Sequence, residues 1–273
     1  MTDYENPTAM IDLERYPIAD LDAPDARVLI EGCRASLEAD GALSMPGFIR
    51  PEAVEAIAAE ARELAPLAFE IATEHTCYFE PADEGFPEDH PRRRMLFSRK
   101  GGVANDQIDE TALLNRLYQW DGLMAFVAAV LGEDRLYRHA DSMAALNINV
   151  FEPGQSLDWH FDRADFSVTL SIETAKDGGL FEYVPGLRAP DDENYDGVAE
   201  VIEGAAGDIQ LLPFDAGTLA LFRGHYALHR VTPVIGQRAR LAAVFSYVRE
   251  PDVIFTPYAR KLFYGREESA TPR

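Results

Sequence analysis

Several features that would indicate a particular class of protein are missing from this sequence. It has only two cysteines, Cys33 and Cys77, in 273 residues, too few for a disulfide framework or a cysteine-rich zinc site. No apolar run reaches membrane-spanning length, and the first residues lack the basic head and apolar stretch of a signal peptide. We therefore expect a soluble, cytoplasmic protein that does not act at a membrane.

Basic residues are also scarce. The chain has 25 Lys and Arg against 47 Asp and Glu, which gives a net charge of −22. Proteins that bind DNA or RNA gain much of their affinity from cationic contacts with phosphates, so this charge argues against a nucleic-acid partner. A small-molecule substrate is easier to accommodate, although the acidity can equally serve solubility. The sequence leaves the oligomeric state open, with a homodimer as one option.

What the sequence does contain is a short metal-ligand pattern, His160-Phe161-Asp162, followed 67 residues later by His229. Two residues apart on a strand, His160 and Asp162 project from the same face and can meet one ion. Two His and one carboxylate form the facial triad of non-haem Fe(II) oxygenases. A single His is more often a surface or core residue than a ligand, and His139 and His225 are interpreted in that way.

Two arginines follow His229 after a turn at Gly236. An arginine about ten residues past a ligand histidine can return on the neighbouring strand and offer its planar guanidinium to a dicarboxylate bound at the metal. Arg238 and Arg240 both have this spacing, and their separation predicts that they share one face of a strand. The spacing alone does not choose between them.

The order of predicted elements indicates an α+β fold that is mainly β. Helices are predicted over residues 24–40, 51–64 and 113–131, and about eight short strands follow from residue 136 onwards. This strand count suits a double-stranded β-helix, the jelly-roll or cupin-like fold. We expect a single domain over residues 1–273. Residues 1–135 would supply helical support and a substrate loop, residues 136–250 the jelly-roll core, and residues 251–273 a C-terminal segment.

Residues 75–105 are rich in proline, glycine and charge, and they show no clear periodicity. They include the only dense basic cluster of this acidic chain, His90-Pro91-Arg92-Arg93-Arg94. A long irregular segment within a compact domain is often functional, so a lid over the site is one interpretation. A solvated loop whose arginines pair with nearby acids is equally compatible with the composition.

Several motifs together resemble the Fe(II)- and 2-oxoglutarate-dependent dioxygenases, and within them the bacterial family of free-amino-acid halogenases and hydroxylases. The resemblance covers roughly residues 40–266. The motifs that carry it are Pro153-Gly154, Trp159-His160-Phe161-Asp162-Arg163, Gly178-Gly179-Leu180-Phe181-Glu182-Tyr183, Phe222-Arg223-Gly224, His229-Arg230-Val231-Thr232-Pro233-Val234 and Phe263-Tyr264-Gly265-Arg266. In halogenating members a small residue replaces the metal carboxylate and leaves room for chloride. Here that position is Asp162, which implies hydroxylation.

The resemblance also implies a cofactor set of Fe(II), 2-oxoglutarate as cosubstrate, and O2. It favours Arg240 over Arg238 for the far carboxylate of 2-oxoglutarate, because the distance from Arg240 to Phe245 matches the family pattern. Thr169 and Asn147 are further candidates for binding the cosubstrate.

For the substrate, the resemblance implies charged residues from the helical part and from the region before the H-x-D motif. Arg93 or Arg94 is the candidate for an α-carboxylate, and Asp141 for a cationic group. The leading hypothesis is therefore a hydroxylase of a free amino acid, with a cationic side chain favoured.

Two other functions stay open at this point. The same chemistry could act on a carrier-bound or peptidyl residue, or could desaturate the substrate. In a different class, the chain could be a metal-binding jelly-roll protein without turnover. The arginine pair argues against this last hypothesis, because a binding module needs no clamp for a dicarboxylate.

Overall fold

The computed structural model describes residues 4–205 and 208–269. The α-helices are α1 (Pro24–Asp40), α2 (Pro51–Leu64), α3 (Leu113–Gln119), α4 (Asp121–Leu131), α5 (Tyr195–Glu203) and α6 (Pro257–Tyr264). Helix α1 begins at Pro24, where proline needs no hydrogen-bond partner, and stops at Gly41, which adopts φ +66°. In the described part of the chain, no helix is both long enough and apolar enough to cross a membrane.

The strands are short, as expected for a jelly roll. In chain order they are β1 (Ala42–Met45), β2 (Phe69–His75), β3 (Leu96–Val103), β4 (Tyr137–Arg138), β5 (Leu146–Phe151), β6 (Leu157–His160), β7 (Ser167–Glu173), β8 (Asp177–Gly178), β9 (Phe181–Val184), β10 (Gln210–Leu211), β11 (Leu219–Phe222), β12 (Leu228–Val231), β13 (Val234–Ile235), β14 (Arg240–Phe245) and β15 (Tyr247–Val248). Two antiparallel sheets dominate. The larger has the order β1-β11-β7-β14-β5-β3-β2, and the smaller β10-β9-β12-β6.

The two faces of the larger sheet differ in polarity. One face carries Ile148, Leu170 and Ala243, which pack with the buried residues of α1 to α4 into the main core. The opposite face carries Asn149 and Thr169 and is directed towards the smaller sheet, where Phe222 of β11 contacts Phe181 of β9 edge-on. The helices therefore support the sheet from outside, and the polar interior between the sheets is left for a site.

Some sequence-based expectations differ from the observed elements. The segment 75–105 is not irregular throughout, because β3 lies within it and pairs with both β2 and β5. The predicted helix over residues 113–131 is two helices, since Trp120 is extended between α3 and α4. Strands β2 and β3 belong to the larger sheet, so the sheet reaches into the part of the chain that was expected to be mainly helical.

Candidate metal centre

The predicted triad comes together between the smaller-sheet strands β6 and β12. His160 ends β6 and faces His229 of β12 in the antiparallel register, with ring centroids 4.0 Å apart. Asp162 lies just beyond the end of β6, and its Oδ1 is 3.7 Å from His160 Nε2 and 3.5 Å from His229 Nε2. One ligand atom from each residue lies within 4.8 Å of the others, a spacing that suits three ligands of a single ion.

Hydrogen bonds from the main chain orient both imidazoles. His160 Nδ1 lies 2.8 Å from the Asp158 carbonyl oxygen, and His229 Nδ1 lies 2.9 Å from that of Ala227. Because a carbonyl oxygen only accepts, each Nδ1 carries the proton, and each Nε2 directs a lone pair towards Asp162. This tautomer is the one that a metal ion requires at Nε2.

The surroundings of His160 and Asp162 shift the pKa of each towards the protonation state that binds a metal. Burial lowers the pKa of His160 well below the usual range, and the neighbouring His229 lowers it further. Burial alone would raise the pKa of Asp162, but the neighbouring His229, His160 and Lys100 bring it down to about 2. At neutral pH the site therefore offers a neutral imidazole and an ionised carboxylate, the donors that Fe(II) takes in a facial triad.

Gly224 makes room for the metal carboxylate. Asp162 N donates to the Gly224 carbonyl oxygen at 3.0 Å, and a Cβ built on Gly224 would overlap the Asp162 carboxylate. The glycine in Phe222-Arg223-Gly224 is thus explained by contact with a ligand.

We expect Gly224→Ala to push the Asp162 carboxylate out of position while the fold is kept. Displacing a ligand through a supporting residue lowers metal affinity by about 10- to 100-fold, which an Fe(II) or Co(II) titration of the purified protein measures. Gly32→Ala is the matched control, because an added methyl on α1 meets nothing within 4 Å. Equal metal affinity of the two variants would contradict this role of Gly224.

Arg240 is a buried guanidinium without an acidic partner. It is 6% exposed and packs against the rings of Phe151 and Phe214, at 5.3 and 5.2 Å from their centroids. No carboxylate of the described residues forms an ion pair with it, and burial lowers its pKa to about 10. A buried charge is stable only when it is paired, so this arginine is suited to hold an anion that enters the cavity.

Comparison with known protein families identifies the family of this chain. The family profile described as Halogenase D matches residues 26–256. The chain belongs to the Halogenase D family. A search of curated protein sequences found no match.

Solved structures share the fold of this Halogenase D family member at low sequence identity. An oxidoreductase of the 2OG-Fe(II) oxygenase family from Burkholderia pseudomallei is 16% identical, with a TM-score of 0.51 over 82% of this chain and 92% of that chain. The non-haem α-ketoglutarate-dependent epimerase SnoN from nogalamycin biosynthesis is 15% identical, with a TM-score of 0.57 over 81% of each chain. HygX from Streptomyces hygroscopicus, with nickel, 2-oxoglutarate and hygromycin B bound, is 15% identical, with a TM-score of 0.53 over 80% of this chain and 87% of that chain. The jelly-roll prediction is confirmed.

The two arginines that the sequence left in competition are separated in this Halogenase D family member. Arg238 precedes β14, is exposed, and donates to the Ala175 carbonyl oxygen at 3.3 Å. It lines a surface cleft with Arg62 and Lys176. The expectation that Arg238 and Arg240 share a face of one strand is therefore wrong, because the strand begins only at Arg240.

Thr169 and Asn147 lie on the interior face, each opposite Val244 in the register of the larger sheet. The amide of Asn147 has local partners, since its Nδ2 donates to the Met143 carbonyl oxygen and its Oδ1 accepts from the Tyr264 hydroxyl. Thr169 has no such partner among the hydrogen bonds of the described residues and remains a candidate for binding the cosubstrate.

The predicted substrate residues are engaged elsewhere. Asp141 is buried, and its carboxylate accepts from the Arg260 guanidinium at 2.8 Å and from the backbone N–H groups of Met143 and Phe255. Because these donors satisfy the carboxylate, Asp141 stabilises the chain around α6, and we correct its assignment to a cationic substrate group.

Arg93 and Arg94 both have protein partners in the segment that the sequence left open. Arg93 Nη1 donates to the Phe86 carbonyl oxygen at 2.8 Å, and Arg94 Nη1 is 3.3 Å from a Glu203 carboxylate oxygen on α5. Their surroundings therefore match the second interpretation of the basic cluster, in which its arginines pair with nearby acids. Binding of an α-carboxylate by either residue is not supported by these contacts.

One charged residue of the interior was missed in the sequence. Lys100 of β3 is one of three lysines in the chain, and its Nζ donates to Asn149 Oδ1 at 2.7 Å. Burial lowers its pKa to about 8, with Asp162 and Arg240 close enough to shift it further in opposite directions. The alternation of Ser98, Lys100 and Gly102 was a signal of a strand with an inward face, but the surrounding charge and glycine obscured it.

Proposed function

We propose that this protein is an Fe(II)- and 2-oxoglutarate-dependent hydroxylase of a free amino acid. His160, Asp162 and His229 would hold the iron, and Arg240 would hold the far carboxylate of the cosubstrate. The observation that carries the proposal is a complete triad together with a buried guanidinium that has no ion-pair partner among the described residues, on the face of the larger sheet that is directed towards the smaller sheet. A protein that only binds metal does not need a buried arginine to hold a carboxylate beside the metal.

When bound, iron and cosubstrate together supply oxygen activation and hydrogen abstraction, with release of succinate and CO2. The residues of this chain would position the metal and the cosubstrate and would exclude water from them. The Nδ1 hydrogen bonds of the two histidines fix the direction of their Nε2 atoms. Arg240 would bind one end of the cosubstrate beside the rings of Phe151 and Phe214, which would keep out solvent and so strengthen the ionic contact.

Hydroxylation rather than halogenation is proposed from Asp162. Chloride can join the reaction only where the protein gives up an iron ligand, and this chain keeps its carboxylate, aligned by Gly224. The family name therefore does not decide the reaction of this member. The preference for a cationic side chain is not carried further, because Asp141, the residue chosen for it, is paired with Arg260.

Succinate release tests the proposal directly. The purified protein with Fe(II), 2-oxoglutarate and O2 should release succinate slowly alone and at least about tenfold faster with its substrate among the free amino acids, since substrate binding completes the site. If none of the free amino acids stimulates release while a carrier-bound or peptidyl residue does, the chemistry stands and the substrate class is wrong. If 2-oxoglutarate is not consumed under any of these conditions, the proposed function is wrong.

A further inference from the structure

The interior of the site contains more positive charge than the proposed clamp requires. Strand β5 has β14 on one side and β3 on the other, and each neighbour contributes a cation. Arg240 is opposite Phe151 in the register, and Lys100 directly precedes Gly101, which is opposite Val150. The two cations therefore approach the same end of β5 from its two sides.

The contacts of Lys100 do not satisfy its ammonium group. The group has three N–H donors, yet among the described residues its one hydrogen bond is to the neutral amide oxygen of Asn149. No carboxylate of the described chain forms an ion pair with it, although Asp162 is near enough to affect its pKa. A partly buried ammonium whose donors are not all satisfied by the protein is suited to binding an anionic ligand.

The charges of the cavity leave room for such a ligand. Bound Fe(II) and the two carboxylates of 2-oxoglutarate cancel in formal charge. What remains is Lys100 and Arg240 against Asp162, an excess of one positive charge. A low-dielectric interior favours neutralisation of that excess by a further carboxylate, or a closer contact of the ammonium with a carboxylate of the cosubstrate itself.

We propose that Lys100 is a second carboxylate-binding residue of this site, placed across β5 from Arg240. This inference rests on the proposed function, because it assumes the same cavity and cosubstrate. The carboxylate can come from 2-oxoglutarate or from the amino-acid substrate. In the second case Lys100 takes the part that the sequence assigned to Arg93 or Arg94.

The test uses the full chain with Lys100→Met, which removes the charge and keeps most of the side-chain stem, and Lys100→Arg, which keeps the charge. Lys176→Met is the matched control, since Lys176 is exposed and lines a cleft on the surface. Binding of 2-oxoglutarate is measured by anaerobic calorimetry in the presence of Fe(II), and succinate release is measured with each free amino acid and with its decarboxylated amine.

If the carboxylate belongs to the cosubstrate, Lys100→Met should weaken 2-oxoglutarate binding by about 10- to 100-fold, the loss expected for one hydrogen bond to a charged group. Lys100→Arg should recover much of that loss, and Lys176→Met should bind as the wild type does. If the carboxylate belongs to the substrate, the affinity of Lys100→Met for 2-oxoglutarate should stay within about threefold of that of the wild type. The wild type should then prefer the amino acid to its amine, and Lys100→Met should lose that preference.

Unchanged cosubstrate affinity together with an unchanged preference in Lys100→Met would overturn the proposal. Thermal unfolding without ligands gives a readout independent of turnover: Lys100→Met should melt at the same or a higher temperature than the wild type, because a partly buried charge without an ion-pair partner is removed. A clearly lower melting temperature would indicate a structural lysine and would also overturn it. Failure of the wild type itself to bind 2-oxoglutarate would instead contradict the proposed function.

Discussion

The His229→Ala variant should purify without stoichiometric iron and should release no succinate above the background without enzyme. His229 is 4% exposed and supplies one of three ligand atoms, so its removal leaves two protein ligands and opens a gap beside Phe181 and Phe222. Loss of a ligand removes most metal affinity and the open coordination geometry that the reaction requires. Metal analysis and succinate release after Fe(II) reconstitution measure both effects.

The control for this variant is His90→Ala. His90 stacks on Phe86 in the segment before β3 and has no contact with the triad, so its iron content should match that of the wild type. A circular dichroism spectrum should show that His229→Ala keeps its secondary structure. Full iron content and full activity in a folded His229→Ala protein would remove His229 from the metal centre.

The second large effect is expected from Arg240. Replacing it by Met should raise the dissociation constant of 2-oxoglutarate by roughly 30- to 1000-fold, because truncating one partner of a buried charge pair costs about 2 to 4 kcal/mol. Iron content should change little. Arg238→Met is the matched control, since Arg238 is exposed and donates to a main-chain carbonyl outside the cavity. If Arg238→Met weakened 2-oxoglutarate binding more than Arg240→Met did, Arg238 and not Arg240 would be the residue that binds the cosubstrate.

The elements that the sequence predicted well are those with local signals. Pro24 and Gly41 bound α1, and Pro51 opens α2, because proline and glycine act through their own backbone geometry. The triad was also predictable, since two histidines and a carboxylate at this spacing form an uncommon combination. The strand argument for it was only partly right, because Asp162 lies beyond the end of β6 and is held by Gly224 instead.

The features that the sequence did not predict depend on contacts between distant residues. Strand β3 has a glycine- and charge-rich sequence, and its conformation comes from pairing with β2 and β5. Because this strand was not predicted, the inward position of Lys100 on it was not predicted either. Asp141 looked available for a substrate, but its partner Arg260 is 119 residues away. Such pairings arise from tertiary packing and leave no local pattern in the sequence.

We propose that this Halogenase D family member hydroxylates its substrate because Asp162 occupies the position that a halide would need. A chain that retains the carboxylate should transfer oxygen even when chloride is abundant. The elemental composition of the product therefore distinguishes hydroxylation from halogenation.

Mass spectrometry of the product formed by the wild type in high chloride is the most direct measurement. Reactions contain Fe(II), 2-oxoglutarate, O2 and the amino acid that best stimulates succinate release. We predict a product heavier than the substrate by one oxygen atom, formed in a one-to-one ratio with succinate, and the same product when chloride is omitted. A chlorinated product from the unmodified enzyme would contradict the account.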